Sequence, residues 1–220
     1  MPQPYFPDRV AAGRELAQKL NGYAGEPGVM ILGLPRGGVP VAFEVAEALG
    51  AELDAFLVRK LGVPGQEELA MGAIASGGGR VLNQDVIAQL GISGDMLERV
   101  VLREQRELRR REQLYRQGRP PLQLLHRTVI LVDDGLATGA TMLVAVRAVR
   151  SLGAGKVIVA VPVASRQAGA EMMAEADDYV CLATPEPFYG ISAFYRDFSP
   201  TSDQEVQDLL ARSRAPRHAA

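Results

Sequence analysis

Short apolar runs alternate along the chain with stretches in which apolar residues recur every three or four positions. The apolar runs, which predict buried strands, cover 29–32, 53–58, 129–132, 157–163 and 179–182. Between the first two, Val41, Val45 and Leu49 recur at helical spacing, and Gly50 marks a helix end. Strands that alternate with helices predict a parallel sheet covered on both faces. We therefore predict an α/β fold of three layers (α/β/α) around a mostly parallel, twisted sheet.

Residues that cap helices mark the remaining helix starts. Asp8 can cap an N-terminal helix that runs to about Leu20, and Ser165 can cap a helix that follows the 157–163 strand. Near the C-terminus, Ser202 and Glu205 have the spacing of a capping box before a short helix. These signals extend the alternation of strands and helices toward both ends of the chain.

The length and the spacing of the elements predict one domain over 1–220. Its core covers about 25–185, a helical insertion covers about 92–118, and a small hood and tail cover about 185–212. The only cysteine, Cys181, excludes an internal disulfide. No apolar run approaches the roughly 18 residues of a membrane span, and the first ten residues do not resemble a signal peptide. We therefore expect a cytoplasmic protein without a membrane partner.

The sequence VILVDDGLATGATM, at 129–142, combines features that together predict an anion site. A buried strand ends on Asp133 and Asp134, and a turn with small residues leads into a helix. Backbone N–H groups of such a turn and the helix dipole attract anions. The two carboxylates would repel a bare polyphosphate, but they can accept hydrogen bonds from a vicinal diol and can hold Mg²⁺. A sugar phosphate satisfies both halves of the motif.

Other nucleotide-binding motifs fit this segment less well. It has no GK[ST] and no G-x-G-x-x-G, and its acids precede the glycines. An ordinary turn between a strand and a helix, with an Asx-type cap, is the remaining alternative.

This segment resembles the signature of type I phosphoribosyltransferases, which bind 5-phosphoribosyl-1-pyrophosphate (PRPP), and wider similarity covers about 25–185. The resemblance implies that Asp133 and Asp134 hold the ribose hydroxyls and serve in catalysis, with Mg²⁺ as cofactor near the same two acids. It also implies a loop around the 5-phosphate. That loop consists of Ala137, Thr138, Gly139, Ala140 and Thr141.

A second loop, GLPRGGVP at 33–40, follows the first predicted strand. Its adjacent glycines allow a close approach of the backbone, and Arg36 offers a cationic fork for phosphate oxygens. It resembles the pyrophosphate-binding loop of the same family, formed here by Pro35, Arg36, Gly37 and Gly38. That loop often carries a cis peptide, and the bond before or after Arg36 is the candidate. A tight turn with a surface arginine is the alternative.

A third loop begins after Arg59 and Lys60, and 61–79 contains six glycines. It resembles the orotate and adenine branches, in which the basic pair lies near the pyrophosphate and the loop closes over the site. Arg59 and Lys60 are therefore expected to serve in catalysis, beneath a mobile lid. The alternative is a disordered or β-hairpin excursion without function, and 70–75 is compatible with a short strand.

The resemblance implies transfer of phosphoribose from PRPP to a nucleobase or similar nitrogen acceptor, with release of pyrophosphate. The hypoxanthine–guanine branch usually has an acidic residue at the position of Ala137, which argues against that acceptor.

Five of the few aromatic residues lie in 188–198. We expect Phe188, Tyr189 and Tyr195 to cover the acceptor by stacking, and an aromatic cluster that anchors the tail is the alternative.

The predicted helix at 93–118 is rich in both arginine and glutamate. Met96, Val100, the Arg103 stem and Glu107 would form its mixed face. A solvated face with internal ion pairs is one interpretation, and a nucleic-acid surface or a contact in a homodimer is the other. The second interpretation corresponds to a different function, a regulator that senses PRPP or a nucleotide and binds RNA, DNA or a protein. The net charge of −2 gives nucleic acid no general attraction, so we do not expect it as a partner.

Overall fold

The computed structural model describes residues 5–116 and 118–213. Strands and helices alternate through most of this part of the chain. The strands are β1 (Val29–Gly33), β2 (Glu52–Ala55), β3 (Val58–Val63), β4 (Gln66–Ala75), β5 (Arg80–Leu82), β6 (Thr128–Val132), β7 (Lys156–Val163) and β8 (Asp178–Ala183). The helices are α1 (Arg9–Lys19), α2 (Gly38–Leu49), α3 (Gln84–Gln89), α4 (Gly94–Arg116), α5 (Ala140–Ser151), α6 (Arg166–Glu175) and α7 (Asp203–Arg212).

Five strands form the central sheet, in the order β2-β1-β6-β7-β8, and every pairing is parallel. Strands β1, β6 and β7 are almost fully buried because helices cover both faces of the sheet. Helices α1, α2 and α7 pack into the apolar cluster on one face, and α5 and α6 pack into the cluster on the other. The predicted three-layer α/β/α fold is confirmed.

A second, antiparallel sheet of three strands, β3-β4-β5, projects from the end of β2. The predicted strand at 53–58 is therefore wrong at its C-terminal end. The chain leaves the central sheet after Ala55, and Val58 already begins β3. Phe56 and Leu57 are buried between the two sheets, which explains why the apolar run continues through the break.

The predicted lid at 61–79 is largely a β-hairpin, which is the structure of the alternative interpretation, and the strand expected at 70–75 lies within β4. Gly65 forms the turn with a φ of 80°, which favours glycine. Gly62 approaches the backbone of Glu67 so closely that a β-carbon would lie 2.6 Å from its carbonyl oxygen. The segment is thus an ordered excursion from the central sheet.

The long helix α4 is confirmed, and the Ser93 hydroxyl accepts a hydrogen bond from its first turn. Its packed face differs from the predicted one. Val100, Val101, Leu108 and Tyr115 are buried against the core, whereas Glu107 lies on the solvated side. The packed face has the same helical spacing and shares Val100 with the predicted face, but its stripe is shifted by about one residue and is turned toward β3 and α7.

The N-terminus and the tail meet in an aromatic cluster at one end of the sheet. Phe6, Phe194 and Tyr195 are buried there, and the backbone of Phe6 bonds to that of Phe194 and Arg196. Phe188 packs on Phe194 with ring centroids 5.5 Å apart. The tail is therefore fixed over the carboxyl ends of the strands. No helix in the described ranges is long and apolar enough to cross a bilayer.

Candidate functional site

Two loops meet at the carboxyl ends of β1 and β6, which are neighbouring strands of the parallel sheet. The loop after β1 carries Arg36, and the chain after β6 carries the acid pair and then the turn into α5. The backbone N–H of Leu34 donates to the carbonyl of Val132 at 2.9 Å, which ties the first loop to the strand before the acids. This edge of an open α/β sheet is where ligands bind.

The Arg36 loop lies directly on the acid pair because Gly37 and Gly38 lack side chains. A β-carbon on Gly37 would overlap the Asp134 Oδ2 atom, and one on Gly38 would lie 2.9 Å from the Asp133 Oδ1 atom. The peptide bond between Pro35 and Arg36 is cis, at the first of the two positions expected from the sequence. The two glycines are therefore required by a contact between two loops that are far apart in sequence.

The two carboxylates have different surroundings. Asp133 is half-buried, and its Oδ1 accepts the backbone N–H of Asp134 at 2.9 Å. Asp134 is only 8% exposed, and its Oδ2 accepts a hydrogen bond from Arg9 Nε at 2.8 Å. Burial raises the pKa of both acids above the usual aspartate range, and the charge of Asp134 raises the pKa of Asp133 further. The Arg9 guanidinium partly opposes this rise in the pKa of Asp134.

Sequence reasoning missed Arg9 and the hydrogen bond made by Tyr195. Arg9 is the first residue of α1 and lies 125 positions from its partner Asp134. The Tyr195 hydroxyl donates to the backbone carbonyl of Asp134 at 2.7 Å, 61 positions away. No local spacing signals either contact. The only available signal was the cap at Asp8, which places Arg9 on the first turn of a helix.

The turn into α5 has the geometry of an anion site. Gly139 precedes the helix in the left-handed conformation, with a φ of 73°. Thr138 is exposed, and its hydroxyl accepts a long, 3.4 Å bond from the Ala140 N–H. The Ser165 hydroxyl donates to the Ala137 carbonyl at 2.7 Å and fixes the other side of the turn. The first N–H groups of a helix have no partner within it, so they are available to a phosphate here.

The Arg36 side chain is exposed and turned toward helices α4 and α7. Its Nη1 lies 4.0 Å from Asp203 Oδ1, and Asp203 also accepts a 2.5 Å hydrogen bond from the Tyr115 hydroxyl. Burial is the main cause that raises the pKa of Tyr115 to about 12, and the hydrogen bond to Asp203 is the second cause. Arg36, Arg110 and Arg111 line a small cavity of about 220 Å³ beside this contact. Arg36 thus has an exposed guanidinium that a phosphate ligand can recruit.

Arg59 and Lys60 are on β3 rather than at the end of a central strand. The Arg59 guanidinium pairs with the buried Glu104 carboxylate on α4, at 2.5 and 3.0 Å. Lys60 is exposed and pairs in register with Ala73 of β4. The structure therefore ties the hairpin to α4 through Arg59, and no described contact brings either cation next to the acid pair. Their role near a pyrophosphate stays a prediction that requires the hairpin to move.

The three aromatic residues expected to cover an acceptor have different positions. Tyr195 is 5% exposed and packs on Phe6 and Phe198, so its faces are not open for stacking. Phe188 leans on Phe194 at the edge of the same cluster. Tyr189 is 68% exposed. For Tyr195 and Phe188 the geometry favours the alternative, a cluster that anchors the tail. Of the three residues, only Tyr189 has a ring that is accessible to a ligand.

Among the residues that the structure describes, no group of three or more His, Cys, Asp or Glu side chains could hold a metal ion. Magnesium commonly binds through one or two carboxylates together with phosphate oxygens of a substrate. The half-buried Asp133 beside a phosphate-type turn fits that arrangement. The donor set therefore fits a Mg²⁺ that arrives with a phosphorylated ligand, and it does not fit a metal held by the protein alone.

Comparison with known proteins agrees with this geometry. A family model described as a phosphoribosyl transferase domain matches residues 6–198. Two Mycobacterium tuberculosis sequences, from strains CDC 1551 and H37Rv, are 48% identical over 208 residues, which is 94% of this chain and 47% of theirs. Both carry the name of a phosphoribosyl transferase, without a stated acceptor. The chain spans about half the length of these curated relatives.

Solved structures share the fold of this chain. The crystal structure of TT1426 from Thermus thermophilus superimposes with a TM-score of 0.83 at 44% identity, over 94% of this chain and 98% of that one. A hypothetical protein from Neisseria gonorrhoeae, solved with bound ppGpp, superimposes with a TM-score of 0.51 at 16% identity, over 97% of this chain and 99% of that one. The second likeness concerns the fold alone.

Proposed function

The chain belongs to the phosphoribosyl transferase domain family, and from that premise we propose that it transfers phosphoribose from PRPP to a nitrogen acceptor and releases pyrophosphate. The observation that carries the proposal is the contact of Gly37 and Gly38 with Asp134 and Asp133. It places a cationic loop, two carboxylates and a helix N-terminus around one space. These are the groups that a sugar with phosphates at both ends requires.

Each part has a separate role in the proposed site. The turn from Ala137 to Thr141 holds the 5-phosphate through its N–H groups. The half-buried Asp133 accepts hydrogen bonds from the ribose hydroxyls. Arg36, with the peptide groups of Gly37 and Gly38, contacts the pyrophosphate, and the Arg36 guanidinium turns away from Asp203 to do so. The sugar is then fixed at both ends with its anomeric carbon between them.

The reaction separates charge, and this determines what the residues must do. As the bond to pyrophosphate breaks, positive charge develops on the ribose ring and negative charge on the leaving group. The Asp133 carboxyl group stabilises the ribose, and Arg36 stabilises the pyrophosphate. A Mg²⁺ bound with the substrate would neutralise further charge on the pyrophosphate. No nucleophilic side chain is required, because the acceptor itself attacks.

Water must be excluded from the sugar while this charge develops. The β3–β4 hairpin is our candidate for this role, since it follows β2 at the edge of the central sheet, contacts α4 and α5, and carries Arg59 and Lys60. We propose that it closes when PRPP binds and that Arg59 then exchanges Glu104 for the ligand. The exposed Tyr189 offers the open aromatic face to the acceptor.

The second candidate function, a regulator that binds nucleic acid through α4, receives no support from the contacts of that helix. Arg110 and Arg111 both pair with Glu107, and Arg103 pairs with Glu104. These ion pairs match the interpretation of a solvated face with internal pairing. We therefore retain the enzyme as the proposal.

The test is release of pyrophosphate from PRPP in Mg²⁺ by the chain, with a panel of purine, pyrimidine and other nitrogen acceptors. We expect one acceptor class to accelerate release, and Asp133→Asn to abolish the acceleration. Arg14→Gln is a matched control, because Arg14 pairs with Glu44 on the outer side of α1 and is well exposed. Binding of PRPP without turnover of any acceptor would instead favour a sensor.

A further inference from the structure

Arg9 is held more firmly than a surface arginine. Its Nε donates to Asp134 Oδ2 and its Nη1 donates to the backbone carbonyl of Ser199, both at 2.8 Å. Its guanidinium carbon lies 3.9 Å above the centre of the Phe198 ring. Only 12% of its side chain is exposed. The guanidinium is therefore fixed by the strand end and by the tail, while its backbone is fixed by α1.

Asp134 is enclosed by the same arrangement. Its Oδ2 lies between Arg9 and Gly37, and a β-carbon on Gly37 would overlap it. Its backbone carbonyl accepts the Tyr195 hydroxyl. The carboxylate therefore lies beneath the Arg36 loop, enclosed by protein groups. Asp133 differs, because it is half-buried and no described residue forms an ion pair with it.

From this geometry we infer that the two acids have different tasks and that Arg9 is a positioning residue for the reaction. Asp133 binds the ribose hydroxyls. The Arg9–Asp134 pair packs under the Arg36 loop and fixes the position of that loop relative to the site. The inference rests on the proposed PRPP site and deepens it. It adds the N-terminal helix and the 195–199 tail to the structures on which PRPP binding depends.

The physical reason is the cost of a buried, unpaired charge. Removing one partner of a buried ion pair leaves the other uncompensated, which is far more damaging than the loss of an exposed pair. Without Arg9, the Asp134 carboxylate must turn toward water. The loop with Gly37 covers this carboxylate, so it is the segment that would be displaced. The pyrophosphate loop would then lose its position although none of its own residues had changed.

A double-mutant cycle tests this assignment. We compare Arg9→Gln, Asp134→Asn and the double variant for PRPP affinity by calorimetry in Mg²⁺, below the melting temperature of each protein. We expect Arg9→Gln to weaken PRPP binding at least tenfold. The double variant should be no weaker than the weaker single variant, because the two residues act as one unit. In turnover, the KM for PRPP should rise more than the KM for the acceptor.

Two further variants keep the test interpretable. Arg9→Lys should bind PRPP with intermediate affinity, because lysine retains the charge but not the fork that spans Asp134 and Ser199. Arg14→Gln, on the same helix, should bind PRPP like the wild type.

Wild-type affinity in Arg9→Gln, or fully multiplicative effects in the double variant, would overturn the inference while leaving the PRPP site intact. Failure of the wild type to bind PRPP would overturn the proposed function and the inference with it.

Discussion

Gly38 packs against Asp133 so closely that a β-carbon at position 38 would lie 2.9 Å from the Asp133 Oδ1 atom. The same β-carbon would lie 2.7 Å from the carbonyl oxygen of Val132, which is backbone and cannot move aside. The start of α2 and the end of β6 therefore fit together only with glycine at this position. The shape of the ligand site depends on this contact as much as on its charged groups.

Gly38→Ala should consequently weaken PRPP binding at least tenfold and lower the melting temperature, because the loop must move away from the acids. Gly22→Ala is the matched control, since a β-carbon there meets nothing within 4 Å. Calorimetry with PRPP and thermal melts of both variants check the prediction. Equal PRPP affinity in Gly38→Ala and Gly22→Ala would show that the close contact does not shape the site.

Asp133→Asn should stabilise the ligand-free protein while it weakens PRPP binding. Burial raises the pKa of Asp133, so the ionised carboxylate costs folding free energy at neutral pH. The stabilising contribution of its proton is present at low pH and is lost as the pH rises through the pKa of the folded state. Asparagine keeps an acceptor for the Asp134 N–H and carries no charge.

The gain from Asp133→Asn in melting temperature should thus be greater at neutral pH than at acidic pH and should shrink as the pH falls. A change of 1 kcal/mol moves the melting temperature of a chain of this length by roughly 2–4 °C. Thermal melts from neutral to acidic pH resolve an effect of this size. A variant that melts below the wild type at pH 7 would contradict the conclusion that burial disfavours the ionised form of Asp133.

The β3–β4 hairpin should become protected from hydrogen exchange when PRPP and Mg²⁺ are added, because closure orders it over the site. The protection should be greatest near Lys60 and the turn at Gly65. Arg59→Gln should reduce it, whereas Arg103→Gln should not, since Arg103 shares Glu104 but is well exposed. Exchange in the hairpin that is identical with and without PRPP would remove the proposed closure.

Substitutions of two tyrosines in the tail should have different effects, one on acceptor binding and the other on stability. Tyr189→Ala should raise the KM for the acceptor several-fold without changing the melting temperature, because Tyr189 is mostly exposed. Tyr195→Phe should lower the free energy of unfolding by about 1 kcal/mol, the usual worth of a buried hydrogen bond. Kinetics and melts of both variants decide the matter. An unchanged acceptor KM in Tyr189→Ala would place the acceptor elsewhere.

The sequence predicted those features that depend on neighbours in the chain. The strands at 129–132 and 157–163 were located to within one residue because a strand buried on both faces is a continuous apolar run. The same reasoning failed after Ala55, since Phe56 and Leu57 stay buried while the chain passes between two sheets. Apolar character reports burial, and it does not report where a strand changes partner.

The site was predictable in its outline and not in its internal contacts. The acids, glycines and threonines of 133–141 form a contiguous motif, so sequence alone located them. The Arg9–Asp134 pair joins positions 125 residues apart. The aromatic residues were identified by their density, but density does not distinguish a stacking platform from a small core. Tyr195 belongs to the core, and its hydrogen bond to the Asp134 backbone connects it to the site.

The most direct test of the PRPP assignment is a calorimetric titration of PRPP into the wild type and into Asp133→Asn, in the presence of Mg²⁺. Hydrogen bonds to a charged group are worth about 1.5–3 kcal/mol, which corresponds to a factor of roughly 10 to 150 in affinity. We predict saturable binding at one site by the wild type and binding weaker by that factor in the variant. The absence of binding by the wild type, or equal affinity in the two proteins, would contradict the assignment of this site to PRPP.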